Sequence, residues 1–141
     1  MTFETVIKNF TTRGLRVEDV RLYLDAGGDI NRRDSKMRWS LLHFAAEDRN
    51  AEVARLLVAR GADIAATDRS GWTPLHVAVD SDMDTSGRDG RRATELPTIQ
   101  AFIELGADET VRASDGSTPR DIAVAYGEEI LYDSLLRPKP A

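Results

Sequence analysis

The chain contains no cysteine among its 141 residues, which removes disulfides, thiolate metal sites and cysteine nucleophiles together. That absence fits a reducing compartment. No stretch approaches the roughly 18 uninterrupted apolar residues needed to cross a bilayer. The first ten residues carry Glu4, Lys8 and Asn9 among their apolar positions, so no signal-peptide core is present there. A cytoplasmic location is the expectation. Positive charge is also short: the formal net charge is −5 and the isoelectric point is near 5.0. A general nucleic-acid binder usually has a basic footprint, which this composition lacks. With 41% hydrophobic and 30% charged residues, the chain reads instead as one soluble, folded domain.

What the chain does have is repetition. Gly71-Trp72-Thr73-Pro74-Leu75-His76 echoes Arg38-Trp39-Ser40-Leu41-Leu42-His43, with Ser40 and Thr73 separated by 33 residues. A weaker echo is Gly116-Ser117-Thr118-Pro119-Arg120-Asp121. A second mark keeps step with the first: Gly27-Gly28-Asp29, Gly61-Ala62-Asp63 and Gly106-Ala107-Asp108. These echoes divide the chain into units of about 2–33, 34–67, 68–112 and 113–136, followed by a tail, 137–141, expected to fray and flex. In the first unit Phe3, Val6, Ile7 and Phe10 fall at helical spacing, and Val20, Leu22, Tyr23 and Leu24 crowd a second helix. In the second, Leu41, Leu42, Phe44, Ala45 and Ala46 give a helix with a small-residue face. Val53, Ala54, Leu56, Leu57 and Val58 give its partner, which Gly61 terminates.

The third unit is 12 residues longer than the second, and the excess lies in 80–94. That stretch is polar and contains two glycines, so it reads as a loop between the two helices of one unit. Lengthening a surface loop costs only about 0.6 kcal/mol per doubling. Pro97 suits the first turn of the helix that follows. The fourth unit places Arg120 and Asp121 where earlier units have leucine and histidine. A terminal unit must present polar groups outward, and Arg120, Glu128, Glu129, Tyr132 and Asp133 fit that need.

A period near 33 with a Thr-Pro-Leu-His start resembles the ankyrin repeat family, over nearly the whole chain. The resemblance implies an all-α solenoid of about four helix-turn-helix units with projecting loops or β-hairpins. Ser40, Thr73 and Thr118 would cap their helices. Pro74 and Pro119 would take the first helical position. It further implies a structural role for His43 and His76, each bonding a helix start and the adjoining backbone. Function in this family is binding, usually of another protein through the loops and inner helices, and the fold alone does not name the partner.

Candidate chemistry is sparse. No nucleophile, carboxylate or metal-ligand set stands at motif spacing to either histidine, so no catalytic, cofactor or metal residue is assigned. Asp80, Asp82 and Asp84 alternate like the opening of a calcium loop, but Thr85 and Arg91 stand where that loop needs glycine and glutamate. Trp39 and Trp72 hold equivalent places before the caps, and stacking should bring them near each other. They read either as interface anchors or as packing on the neighbouring loop. Arg32, Arg33, Lys36, Arg38 and Arg69 surround them. The candidate partner-binding set is therefore Arg33, Lys36, Arg38, Trp39, Arg69 and Trp72, joined by Asp80, Asp82, Arg88, Arg91 and Arg92 from the long third unit.

The reading is a non-enzymatic module that binds, blocks or sequesters a protein with an acidic face, as a toxin-neutralising immunity protein or a regulator does. The alternative is polyanion or nucleic-acid binding through the basic edge. A monomer is expected, with a homodimer through the first unit as the other arrangement.

Overall fold

The computed structural model describes residues 1–88 and 96–136, with 85–88 given as helical backbone alone. Eight helices occur among them: α1 (Phe3–Arg13), α2 (Val17–Asp25), α3 (Leu41–Glu47), α4 (Ala51–Ala59), α5 (Pro74–Arg88), α6 (Pro97–Glu104), α7 (Pro119–Ala125) and α8 (Glu129–Leu136). They pair in chain order, and the pairs stack. One layer runs through α3, α5 and α7, and the other through α2, α4 and α6. No strand occurs among the described residues, so the projecting segments are loops rather than β-hairpins.

The core follows from the helical spacing of apolar residues. Leu41, Leu42, Leu57, Leu75, Ile99 and Phe102 are all within 1% of complete burial. Each such side chain contributes roughly 1.5–3 kcal/mol, whereas a helix cap contributes about 1 kcal/mol. The core therefore decides that the helices form, and the caps decide where they begin. Ala45, Ala46, Ala54, Ala78 and Ala123 are fully buried, which lets neighbouring helices approach closely.

Two expectations fail here. Helix α5 runs through most of the stretch read as a loop, ending at Arg88 instead of before Asp80. Met83 is 1% exposed and Asp82 is 1% exposed, so this added stretch has a buried side of its own. Residues 89–95, and with them Arg91 and Arg92, lie outside the described residues, as do the Arg88 side chain and the tail 137–141. The second failure is Tyr132, read as an outward polar residue. It is the fully buried residue of α8, and burial pushes its phenol up to about 12. Arg120 and Asp133 do lie outward, joined by an ion pair of 2.8 Å.

Asp82 explains how the long third unit stays in register. One carboxylate oxygen accepts from Arg49 Nε at 2.9 Å, and the other accepts from the Ile99 backbone N–H at 3.1 Å. Helix α6 begins after Leu96, which has no side-chain oxygen with which to cap it. Asp82 supplies that cap from 17 residues away. Arg49 itself sits at a φ of 53°, between Asp48 and Asn50, which hold the α1–α2 turn through Leu15. Three consecutive residues thus tie the second unit to both neighbours.

Asp82→Ala strips the cap from a buried N–H and leaves Arg49 without its partner. Leaving a buried donor unsatisfied costs about 1–3 kcal/mol, so urea denaturation should show a loss of about 2 kcal/mol. A loss below the error of the measurement would show that water replaces the carboxylate.

Candidate functional site

The repeated segment Trp-Ser/Thr-x-Leu-His builds one device twice. His43 Nδ1 lies 3.2 Å from the Ser40 N–H and 2.9 Å from Ser40 Oγ, while its Nε2 lies 2.9 Å from the Trp72 carbonyl oxygen. His76 repeats the arrangement on Thr73, at 3.2 and 2.8 Å, and reaches the Ser117 carbonyl at 3.0 Å. A carbonyl only accepts, so Nε2 must carry the proton and Nδ1 must be the acceptor. Each imidazole closes its own helix start and donates one bond to the next unit. In the fourth unit Asp121 accepts from the Thr118 N–H at 2.9 Å, while Thr118 accepts from the Asp121 N–H. A carboxylate has no N–H to pass on, so the line of bonds stops there.

Both histidines are fully buried. Desolvation holds each imidazole below its usual range, with the carbonyl bond opposing the shift only in part. These rings are neutral structural members, as the family resemblance implied.

Around them lie the sequence-selected residues, with varied duties. Trp39 is half-buried, stacks on His43 at 6.1 Å, meets Phe44 edge-on at 5.2 Å and donates its indole N–H to Asp68 at 2.9 Å. Trp72 stacks on His76 at 5.9 Å, but its indole makes no hydrogen bond among the described residues. Each ring thus packs on the histidine of its own unit. Arg33 donates to the Thr67 carbonyl, and Arg69 donates to the Lys36 and Ser35 carbonyls. Both guanidiniums stitch adjacent loops. Arg32 pairs with Glu4 and lies over the Phe3 ring. Lys36 and Arg38 stay exposed. Arg38 has a φ of 59° at the place where the next unit has Gly71, at 77°. Gly71 is needed there, since a Cβ would meet the Ser114 backbone nitrogen at 2.9 Å.

Asp80 and Asp82 part company. Asp82 is committed to Arg49 and Ile99, which removes it from any partner-facing surface. Asp80 faces a groove of about 390 Å³ between the third and fourth units, lined by Trp72, Asp115, Asp121, Ile122, Ala125 and Tyr126 among others. The Tyr126 hydroxyl donates to Asp80 at 2.9 Å, bridging α5 to the end of α7. Sequence reasoning missed Asp115, Asp121, Ile122, Ala125 and Tyr126 as companions of Trp72. Tyr126 and Asp80 are 46 residues apart, and no periodicity links them. A second groove of about 420 Å³ lies on the first unit, with Phe3, Ile7, Arg32, Arg33 and Asp34 in its wall. Within it Arg32 pairs with Glu4, Arg33 donates to the Thr67 carbonyl and Asp34 accepts from backbone N–H groups of its own loop. No group of three or more metal-ligating side chains occurs among the described residues.

The neutral histidines make a pH prediction. Unfolded imidazoles titrate near 6.5, and the folded ones bind protons less readily. Below pH 6.5 the unfolded chain takes up more protons, so stability falls as pH drops. The urea midpoint should decrease from pH 7 to 5.5, and His43→Asn should flatten that slope. An unchanged slope in the variant would show that His43 is not the titrating group.

The comparisons with known proteins agree with this geometry. The family model for ankyrin repeats, in three copies, matches residues 12–86. Protein phosphatase 1 regulatory subunit 27 of Homo sapiens is 40% identical over 82 residues, 57% of this chain and 45% of its own length. The NF-kappa-B p105 subunit of Gallus gallus is 31% identical over 130 residues, 86% of this chain but 13% of its own. Protein phosphatase 1 regulatory subunit 12A of Rattus norvegicus is 38% identical over 64 residues, 45% of this chain and 6% of its own. The chain spans under half the length of each of these relatives. With more than half of its residues matched, His43 and His76 among them, the chain belongs to the ankyrin repeat family.

Proposed function

We propose that this chain is a non-enzymatic module that binds another protein through its loop tips and the α3–α5–α7 face, and acts by blocking or holding that partner. The observation that carries the reading is the state of its titratable centre. The two histidines, the residues best suited to acid–base work, are buried, neutral and bonded at both nitrogens. What remains accessible is a surface for contact: exposed Lys36 and Arg38 at the second unit's loop, and the groove beside Trp72.

Two relatives are named as regulatory subunits of a phosphatase. A regulator that occupies a surface of an enzyme is one role compatible with this architecture, and a toxin-neutralising immunity protein is another of the same physical kind. A partner with an acidic patch would meet Lys36 and Arg38. The polyanion reading draws less support, because Arg33 and Arg69 spend their donors on backbone carbonyls.

The test is affinity capture from the native host, followed by affinity measurements on the purified partner. Lys36→Glu with Arg38→Glu should weaken binding at least tenfold, whereas Glu52→Arg with Ala59→Arg on exposed α4 should leave it unchanged. Equal loss from both pairs, or no saturable partner at all, would sink the proposal.

A further inference from the structure

The groove between the third and fourth repeats has a chemistry that differs from the loop tips. Its apolar wall is Trp72, Ile122, Ala125 and the Tyr126 ring, and its polar wall is Asp80, Asp115, Ser117 and Asp121. Among the described residues no cationic side chain lines it. Each carboxylate spends one oxygen inside the protein. Asp80 accepts from Tyr126, Asp115 from the Ser117 N–H and hydroxyl, and Asp121 from the Thr118 N–H.

The hydrogen bonds that hold Asp115 and Asp121 also keep their carboxyls below the usual range, with the Ser117 hydroxyl leading for the first and the Thr118 N–H for the second. Both are therefore charged at neutral pH. The negative field extends to α3, where burial and then Asp80, Asp84 and Asp48 push the Glu47 carboxyl up. Tyr126 is 42% exposed and its hydroxyl donates to Asp80, which places its ring at the rim.

We propose that this groove docks a basic segment of a partner protein, with the aliphatic stem of a lysine or arginine against Trp72, Ile122 and Ala125 and its charged head among Asp80, Asp115 and Asp121. Lysine and arginine carry an apolar stem and a cationic head on one side chain, which matches a wall of each kind. The aromatic rings add attraction for a cation lying over their faces. An acidic or neutral apolar segment would leave three carboxylates unopposed or desolvated. This assignment rests on the binding-module reading and names the chemistry of one of its contact surfaces.

The test uses the full chain and a fluorescein-labelled, amidated peptide, Gly-Ala-Leu-Arg-Ala-Leu-Arg-Ala-Gly, read by anisotropy. A matched peptide has glutamate at both arginine places. The arginine peptide should bind at least tenfold more tightly than the glutamate peptide, with affinity that falls as salt rises. Asp80→Asn keeps an acceptor for Tyr126 while removing a charge, and should weaken binding at least threefold. Ala125→Arg, at an exposed helix position, places the protein's own cation in the groove and should weaken it at least tenfold.

Thermal melts confirm that both variants fold. Equal binding of the two peptides, or binding untouched in both variants, overturns the assignment. So does concentration-dependent sedimentation that Asp80→Asn abolishes, which would make a second copy the occupant. If the captured partner binds Ala125→Arg as it binds the parent chain, the module reading stands and the groove assignment falls.

Discussion

The second, third and fourth repeats are registered by one kind of bond: an imidazole Nε2–H donated from one repeat to a backbone carbonyl of the next. A repeat alone cannot bury its apolar face, so solenoid stability comes from the interfaces between neighbours. Apolar burial supplies most of that energy but fixes no register. The bond from His43 to Trp72, and from His76 to Ser117, joins the cap of one helix to the residue before the cap of the next. A neutral ring with one donor and one acceptor can serve both positions at once. An imidazolium could not, because Nδ1 would lose the lone pair that accepts from Ser40 or Thr73.

Parts of this were legible in the sequence because they are local and periodic. The Thr-Pro-Leu-His start, the Gly-Ala-Asp mark and the apolar spacing set four helix pairs, and a cap is written within three residues of the helix it begins. Asp121 in the histidine position was also readable as the place where the pattern changes. Asp82 was not. Its alternation with Asp80 and Asp84 looked like loop chemistry, whereas on a helix the period is 3.6 and alternate residues point to different sides. Asp80 and Asp84 fall near one face, and Asp82 turns inward to Arg49. The prolongation of α5 rests on Asp82 finding partners 33 and 17 residues away and on the burial of Met83, which polar composition could not foretell.

The tryptophans separate in the same way. Equivalent positions made them look like one feature, but Trp39 gives its indole to Asp68 while Trp72 keeps its own free of such a bond and lines a groove. The basic loops are likewise divided by geometry: Arg33 and Arg69 hold neighbouring loops, and Lys36 and Arg38 are left outward. What results among the described residues is a gradient along the solenoid, cationic at the second repeat's loop and anionic between the third and fourth. Under the proposed binding role such a surface would orient a partner as well as attract it, since like charges brought together are costly.

The central claim is that the two buried imidazoles are neutral, carry their proton on Nε2 and hand it to the next repeat. Nitrogen-15 correlation spectra of the imidazole rings test this directly at pH 6. The account predicts that His43 and His76 both give the neutral Nε2–H pattern, with a slowly exchanging Nε2 proton, in the folded chain. An imidazolium pattern, or protonation of Nδ1 at either residue, would contradict it.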